Sequence, residues 1–219
     1  MMCGRYAFFT RWAAVKAKVG AKLADHQFVP RYNIPPGTFI PVISYSQEVS
    51  SPVLDQMWWG YKPHWAGDKA PQPINATIEK VSISGYFKQA YAHSRCVVPA
   101  DGWYEWDRSV DPKQPHFICR EDRELLWFAA ISTARSDGKL GCAIITQPAQ
   151  GDIKAVHDRM PLALDDESLE IWLDREFADP EMLRNVIRHI DTDMLTHWPV
   201  SPGINKPSGN GNAELLNPA

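Results

Sequence analysis

Short runs of apolar residues, separated by polar turns, fill most of the chain between residues 39 and 149 and predict β-strands. The first two runs, "FIPVISYS" and "SPVLDQMWWGY", flank the polar segment "SQEVSS" and predict a hairpin. The later runs are "RCVVPADGWYEWD", "PHFICRE", "ELLWFAAIST" and "KLGCAIITQPA". Because turn residues join successive runs, the pattern favours an antiparallel sheet or barrel in the middle of the chain.

Helical spacing of apolar residues is found in short segments near the two ends of the chain. Apolar residues from Trp12 to Leu23 share one face of a predicted helix, for which Thr10 is the expected N-cap. Asp165 or Asp166 is suited to cap "DESLEIWLD", and Asp179 stands directly before the proline that opens "PEMLRNVIRHI". We therefore expect the helices at the periphery of the sheet.

Segments rich in proline and glycine predict loops between these elements. They are "FVPRYNIPPGT", "KPHWAGDKAPQPINAT" and the tail "WPVSPGINKPSGNGNAELLNPA", in which we expect one short element. No repeat or low-complexity linker divides the chain. We predict one domain over residues 1–219, of the α+β class, with a mostly antiparallel, barrel-like β-sheet core and peripheral helices.

Composition and charge narrow the function classes. The chain has 219 residues, is 44% hydrophobic and carries a net charge of −3, which gives no sign of a broadly basic nucleic-acid-binding surface but leaves a local basic cleft open. Cys3, Cys96, Cys119 and Cys142 form no CxxC pair, so we expect no metal site and no cofactor. Scattered cysteines without a signal peptide or membrane span predict reduced thiols and a cytoplasmic location.

The cysteine near the start of "MMCGRY" has a distinctive chemistry if it becomes the first residue. Cys3 would then carry an α-amine, with a pKa of roughly 8, and a thiol on adjacent carbons. The neutral amine attacks an aldehyde to give an imine, and the thiol closes onto the imine carbon as a thiazolidine. The plain alternative is that Cys3 is a small apolar residue near a frayed end.

Two further segments contain groups suited to proton transfer. In "ADGWYEWD", Glu105 lies in a strand-like stretch beside aromatic residues, and partial burial would raise its pKa towards neutrality. A solvated Glu105 on an edge strand is the alternative. In "HDRMP", His157 is a candidate acid or base and Arg159 a candidate anion ligand, against a purely structural histidine and a local Asp158–Arg159 pair.

Polar and aromatic residues in the long irregular segment complete the candidates. Asn75 in "INATIE" offers hydrogen-bond donors and an acceptor, and the alternative, favoured when the residue is taken alone, is a turn-capping role. Trp58, Trp59 and Trp65 in "WWGYKPHW" are expected to pack in a core or to stack on unpaired bases.

The order of these motifs along the chain resembles that of one family. "MCGRY", "PRYNIPPGT", "WWGYKPHW", "INATIE", "VVPADGWYEW", "AAIST", "HDRMPLAL" and "HWPVS" follow in the order and spacing of the SOS-response-associated peptidase (SRAP) family, the abasic-site shield proteins. The resemblance extends from Cys3 to the "NAELLNP" tail and covers essentially the whole chain.

The resemblance implies a role in DNA repair within the SOS response. A family member exposes its cysteine by self-cleavage or with an aminopeptidase, then forms a thiazolidine crosslink with the aldehyde of an abasic site in single-stranded DNA. By motif position, the implied catalytic residues are Cys3, Asn75, Glu105 and His157. The implied DNA-binding residues are Arg5, Arg159, Trp58, Trp59 and Thr77.

Two features depart from the family pattern. Thr77 stands where the family commonly has arginine, so we expect one phosphate contact to be weaker or to be supplied by Lys80. Met1 and Met2 both precede the cysteine, so its exposure requires either a translation start at Met2 or cleavage after Met2 by the domain itself.

The resulting hypothesis is a monomeric sensor and shield of abasic sites in single-stranded DNA, with autopeptidase activity and no membrane partner. We expect modest, salt-sensitive DNA affinity that the covalent bond makes durable. The alternatives are a cysteine-type peptidase that acts on itself or on other proteins, and a module that binds single-stranded DNA without a covalent bond.

Overall fold

The secondary structure is taken from a computed structural model, which describes residues 3–20, 29–46, 48, 50–207 and 209–219. The strands are β1 (Tyr6–Phe8), β2 (Arg31–Ile34), β3 (Phe39–Ser46), β4 (Ser51–Trp59), β5 (Asn75–Thr77), β6 (Arg95–Ala100), β7 (Gly102–Asp107), β8 (Gln114–Arg120), β9 (Leu126–Ala134), β10 (Leu140–Pro148), β11 (Arg159–Pro161) and β12 (Leu195–Pro199). The helices are α1 (Trp12–Val19), α2 (Ile78–Val81), α3 (Lys88–His93), α4 (Asp166–Leu173) and α5 (Pro180–Val186).

Five strands close into a ring that forms the barrel-like core. The neighbours run β10, β4, β3, β6 and β9, and β9 pairs back to β10. Every pairing in the ring is antiparallel except β4 with β10, which are parallel at Trp58↔Gly141 and Trp59↔Cys142. The α+β class with a mostly antiparallel, barrel-like core and peripheral helices, as predicted, is confirmed.

A second sheet, ordered β12-β8-β7-β1-β2, lies against the barrel and carries the chain start. Because side chains alternate along a strand, β7 directs Trp103 to one face and Tyr104 to the other, and both are buried. Trp103 belongs to the same apolar cluster as the barrel strands. Tyr104 packs with Phe117 under residues of the C-terminal segment. The sheet is thus covered on both faces.

Strand β10 pairs with both β5 and β11, the two strands that contain candidate functional residues. β5 runs parallel to it at Ile144↔Asn75, and β11 runs antiparallel to it at Pro148↔Arg159. The two short strands flank one end of β10, where Thr146 pairs with residues of both. The segments that contain "INATIE" and "HDRMP" are therefore neighbours in space.

The predicted strands agree closely with the observed ones at several positions. β3 covers all of "FIPVISYS", and it pairs with β4 as the predicted hairpin. In the turn between them, residues 47 and 49 lie outside the described residues. The tail, predicted to be loop with one short element, contains the end of β12 and two 3₁₀ turns.

Helix starts were predicted correctly where an aspartate precedes the helix. Asp165 caps α4 by accepting a hydrogen bond from the Ser168 amide, and Asp179 caps α5. The expected cap of α1 is wrong, because Arg11 holds the N-cap position and the Thr10 hydroxyl donates to Asp101. The predicted continuation of α1 to Leu23 lies outside the described residues.

Helices α2 and α3 had no counterpart among the predicted elements. They span four and six residues, too short for a helical period to emerge from the sequence. Within the described part of the chain, no helix is long and apolar enough to cross a membrane.

Candidate functional site

Cys3 lies at the centre of the candidate site, buried just before β1. Its backbone nitrogen donates a hydrogen bond of 2.8 Å to Oε1 of Glu105. Its backbone φ of 23° lies at the edge of the left-handed region, which residues other than glycine seldom adopt. Burial, and then the nearby Glu105 carboxylate, raises the pKa of the Cys3 thiol well above its usual value, so the sulfur rests as the thiol. Cys3 itself is not frayed, and its place in the apolar core agrees with the alternative of a small apolar residue.

Glu105 occupies an inward position on β7, two residues from the buried Trp103 on the same face. Its neighbour on β8 is His116, and the residue is only 2% exposed. Burial raises the pKa of Glu105 to about 8, opposed by the hydrogen bond from the Cys3 amide and by the charge of Arg108. The predicted burial and raised pKa are confirmed, and the alternative of a solvated edge carboxylate is wrong.

His157 lies close to Oε2 of Glu105, the carboxylate oxygen that does not bind the Cys3 amide. Nε2 of His157 lies 3.8 Å from Oε2 of Glu105, too far for a hydrogen bond, and both side chains are buried. Nδ1 lies 3.0 Å from the Arg159 amide nitrogen, which donates to an unprotonated Nδ1, and 2.9 Å from Oδ1 of Asp158, which accepts from a protonated one, so the two contacts favour opposite tautomers. Burial lowers the pKa of His157, partly offset by the exposed Asp158 carboxylate, so the neutral ring predominates at pH 7.

Asn75 touches the same centre through weaker contacts. Its Nδ2 lies 3.5 Å from the Cys3 carbonyl oxygen and 3.5 Å from the Ile144 carbonyl oxygen, at the outer limit for a hydrogen bond. Since β5 holds Asn75 beside β10, its amide can rotate onto a new partner without a change of backbone. Cys3, Asn75, Glu105 and His157, which are up to 154 residues apart in the sequence, thus meet at one point.

The raised pKa of Glu105 predicts that this carboxyl group costs stability at high pH. Between pH 4.5 and about 8, the Glu105 carboxyl group is protonated in the folded protein and ionised in the unfolded chain. Its contribution to the free energy of unfolding is therefore fully present below pH 4.5 and is lost as pH rises through about 8. We expect Glu105→Gln to be more stable than the wild type at pH 9, on the order of a few kcal/mol, and nearly equal at pH 5. Urea unfolding at the two pH values measures this. A variant that is destabilised equally at both would contradict the buried, protonated carboxyl.

Arg159 is held in place by an ion pair at the edge of this cluster. Its Nη1 and Nη2 donate to Oε1 and Oε2 of Glu79, at 2.6 and 3.0 Å, and Nη2 also donates to the Thr146 carbonyl oxygen at 2.8 Å. Thr77 precedes α2 and contributes a side-chain hydrogen bond that helps to lower the pKa of Glu79. Arg159 therefore pairs with the distant Glu79 and not with Asp158, which was the alternative interpretation. The sequence analysis did not predict this contact.

Arg5 lies next to the site but is bound to the protein. Its Nη1 donates to Oδ1 of Asn33 at 2.7 Å and to the Ile204 carbonyl oxygen at 3.0 Å, so it fastens the chain start to the C-terminal segment. The side chain is half-buried, and burial lowers its pKa. A DNA contact by Arg5 stays a prediction.

The three tryptophans of "WWGYKPHW" have different environments. Trp59 is fully buried, packs edge-on against Tyr6 and donates to the Ile74 carbonyl oxygen, as expected of a core residue, and a DNA contact by Trp59 stays a prediction. Trp58 is half-buried beside Phe39 and the Arg135 guanidinium. Trp65 is 61% exposed in the loop that leads to β5. The exposed tryptophan ring of "WWGYKPHW" is therefore that of Trp65, not that of Trp59.

The described residues contain no group of three or more histidine, cysteine or acidic side chains suited to hold a metal ion. A cavity of about 770 Å³ lies elsewhere, near Ala14, Lys18 and Trp127. No member of the Cys3 cluster lines it, and its charged residues carry both signs. This cavity is therefore separate from the Cys3 cluster.

The family comparison agrees with the sequence resemblance. A model described as SOS response associated peptidase (SRAP) matches residues 2–207. Among curated relatives, the abasic site processing protein YedK of Escherichia coli is 33% identical, over 99% of this chain and 100% of its own. The abasic site processing protein YoqW of Bacillus subtilis is 31% identical over 95% and 96%, and the abasic site processing protein HMCES of Gallus gallus is 30% identical over 93% and 74%.

Solved structures share the fold. A protein from Bacteroides thetaiotaomicron superposes with a TM-score of 0.81 at 20% identity, over 99% of this chain and 100% of its own, which bears on the fold alone. A phage-related protein from Bordetella bronchiseptica has a TM-score of 0.75 at 32% identity, over 90% and 94%. The two-sheet architecture that surrounds Cys3 is thus shared with experimentally determined structures.

Proposed function

The chain belongs to the SOS response associated peptidase family, and on that premise we propose that it shields abasic sites in single-stranded DNA by forming a thiazolidine crosslink through Cys3. Its relatives are abasic site processing proteins, and they suggest the substrate class. The observation that carries the proposal is the 2.8 Å hydrogen bond between the Cys3 nitrogen and the buried Glu105 carboxyl group.

The reaction requires an α-amine at Cys3, and Glu105 is suited to serve it. An α-amino group has a pKa of roughly 8, and the pKa of Glu105 is raised to about 8 while the Cys3 nitrogen is an amide. Glu105 hydrogen-bonds to this nitrogen, so it is suited to accept a proton from the attacking amine and to return it to a departing oxygen. The same carboxyl group, while protonated, is suited to protonate the sugar ring oxygen as the ring opens to the aldehyde.

The bonds form in a defined order. The Cys3 amine adds to the aldehyde carbon, the carbinolamine loses one water, and the thiol adds to the imine carbon while its proton passes to nitrogen. Because burial raises the pKa of the Cys3 thiol, the sulfur is a poor first nucleophile, which favours attack by the amine first. Once the imine exists, the adjacent sulfur reacts within the same residue and closes a five-membered ring.

His157 and Asn75 are assigned supporting roles. Nε2 of neutral His157 lies 3.8 Å from Oε2 of Glu105, and a substrate oxygen placed to one side of this pair is within hydrogen-bond reach of both atoms. Asn75, at 3.5 Å from the Cys3 carbonyl oxygen, is suited to orient the deoxyribose by hydrogen bonds. Both assignments follow from position beside Cys3, not from an unusual charge.

Exposure of the amine requires removal of whatever precedes Cys3, and we assign this autopeptidase step to the same site. The φ of 23° at Cys3 exists only while a residue is attached to its nitrogen, so cleavage releases that unfavourable torsion. A water molecule adds to the carbonyl carbon that precedes Cys3, the preceding residue leaves with a carboxyl group, and Glu105, which is hydrogen-bonded to the Cys3 nitrogen, is suited to protonate the departing amine.

The DNA strand is proposed to run past Arg159 and the half-buried Trp58, with Trp65 as an additional stacking platform. Lys80, exposed next to Glu79, is the candidate to replace the family arginine absent at Thr77. With few cations on a chain of net charge −3, the non-covalent affinity is expected to be modest and to fall with salt.

The experiment compares single-stranded oligonucleotides that differ only at one sugar. One carries a natural abasic site, and the other carries a tetrahydrofuran analogue that has no aldehyde. We expect a denaturation-resistant protein–DNA band with the first and none with the second. Equal, purely non-covalent binding of both would favour a binding module. Cleavage of an unrelated peptide in place of crosslinking would favour a peptidase.

A further inference from the structure

The two terminal nitrogens of Arg159 are engaged within the protein. Its two terminal nitrogens bind the two carboxylate oxygens of Glu79, and Nη2 binds the Thr146 carbonyl oxygen as well. Its Nε is buried without a partner. Recognition of a phosphate by arginine uses two parallel N–H groups. Because Glu79 binds Nη1 and Nη2 of Arg159, a phosphate cannot bind these two nitrogens in parallel while the carboxylate is in place.

The ion pair also spans the site. Glu79 follows β5, which carries Asn75, and Arg159 begins β11, directly after His157 and Asp158. The two strands flank β10 at Thr146. The bridge thus joins the two segments that bring Asn75 and His157 to Cys3, on a surface where the Glu79 side chain is 47% exposed.

We propose that Glu79 is a displaceable counter-charge, which occupies Arg159 in the free protein and yields to a backbone phosphate when single-stranded DNA binds. The proposal rests on the proposed function, because it requires DNA on this face. It adds that the free protein is held in a state of low DNA affinity by one of its own carboxylates. Glu79 is thus a positioning residue that acts through Arg159.

Two physical effects favour this role over a merely structural pair. The Glu79 side chain is 47% exposed and the Arg159 side chain 15% exposed, so the carboxylate is the partner that solvent reaches and that a phosphate can replace. A carboxylate at the edge of the DNA path also repels the strand, and this repulsion is strongest at low ionic strength. Replacement of Glu79 by a neutral isostere removes both the competition and the repulsion.

The variant Glu79→Gln tests the proposal against a matched control. Arg120 and Asp122 form a second bidentate pair, at 2.8 and 2.6 Å, far from the Cys3 cluster, and Asp122→Asn changes the net charge by the same amount. The measurement is equilibrium binding to an undamaged single-stranded oligonucleotide over a series of salt concentrations. Undamaged DNA carries no aldehyde, so the readout does not depend on the crosslink.

We expect Glu79→Gln to bind this oligonucleotide about fivefold more tightly at low salt. The slope of log affinity against log salt should steepen by up to about 0.7, since one more phosphate contact releases counterions. Asp122→Asn should match the wild type. The double variant Glu79→Gln/Arg159→Gln should lose the gain, because Glu79 is proposed to act through Arg159.

Crosslinking to abasic DNA supplies a second readout that a structural role would not move in this way. For Glu79→Gln, the protein concentration that gives half-maximal rate should fall about fivefold, whereas loss of a merely structural bridge would not lower it. Unchanged or weaker DNA binding by a Glu79→Gln variant with wild-type thermal stability would overturn the proposal. So would a gain that persists without Arg159.

Failure of this proposal can be told apart from failure of the proposed function. If the wild type crosslinks abasic DNA but Glu79→Gln binds undamaged DNA no more tightly, only the counter-charge role is wrong. If neither protein binds single-stranded DNA or forms a crosslink, both proposals are wrong.

Discussion

Replacing Cys3 by serine is expected to lower the yield of denaturation-resistant adduct with abasic single-stranded DNA by about a hundredfold or more. The α-amine of the processed variant still forms an imine, but the imine hydrolyses when the protein is denatured. A serine hydroxyl is a weaker nucleophile than a thiol and does not trap the imine as a lasting ring. The measurement is the fraction of labelled oligonucleotide retained in the protein band of a denaturing gel.

Two controls make this prediction specific. Cys119→Ser removes another buried thiol, on the opposite face of the second sheet, and should leave the adduct yield unchanged. Borohydride added during the reaction should rescue a stable band with Cys3→Ser, because it reduces the imine to an amine. A durable adduct of Cys3→Ser without reductant would contradict the role of the sulfur.

Replacing Glu105 by glutamine is expected to slow crosslink formation by about two to three orders of magnitude, the usual effect of losing a general acid–base group. Glutamine keeps the size of the side chain and can still accept a hydrogen bond from the Cys3 nitrogen, but it cannot transfer a proton. In the wild type, the protonated carboxyl group is lost as pH rises through about 8, so the rate should decline above that value. The variant should lack this decline.

The control for this variant is Glu181→Gln, an exposed substitution in the first turn of α5 that should leave the rate unchanged. The rates are measured by quenching timed samples from pH 6 to pH 9.5. A Glu105→Gln variant that keeps the wild-type rate and the wild-type decline at high pH would show that Glu105 moves no proton in the reaction.

Much of the fold was predictable because local patterns and tertiary packing agree. β3 covers the apolar run "FIPVISYS" from its first residue to its last, and Asp165 and Asp179 cap the helices they precede. Thr10 failed as a cap because its hydroxyl found a buried acceptor, Asp101, on a distant segment. Such long-range competition has no signature in a local window of sequence.

The candidate site was predictable in its members but not in all of their partners. The sequence pattern placed Glu105 beside aromatic residues, and the alternation along β7 explains its burial. The ion pair of Arg159 with Glu79 joins residues 80 positions apart, and only the pairing of β5 and β11 with β10 brings them together. Pairing of distant strands is set by tertiary structure, so the sequence offered no signal for this contact.

The burial of the individual tryptophans could not be predicted from the sequence. Trp58 and Trp59 are adjacent in β4, and alternation sends them to opposite faces of the strand. The sequence alone could not say which face the barrel encloses, and Trp59 proved to be the core residue. Trp65 is exposed because it lies in an irregular loop, where no sheet or helix covers it.

The intact mass of the denatured adduct tests the central claim most directly. Wild-type protein is reacted with an abasic oligonucleotide, denatured and weighed by mass spectrometry. A thiazolidine at an amino-terminal Cys3 predicts the mass of the chain beginning at that cysteine, plus the oligonucleotide, minus one water. An adduct of full yield that still contains Met1 or Met2 would contradict the account, because the Cys3 nitrogen would then be part of a peptide bond and unable to form the ring.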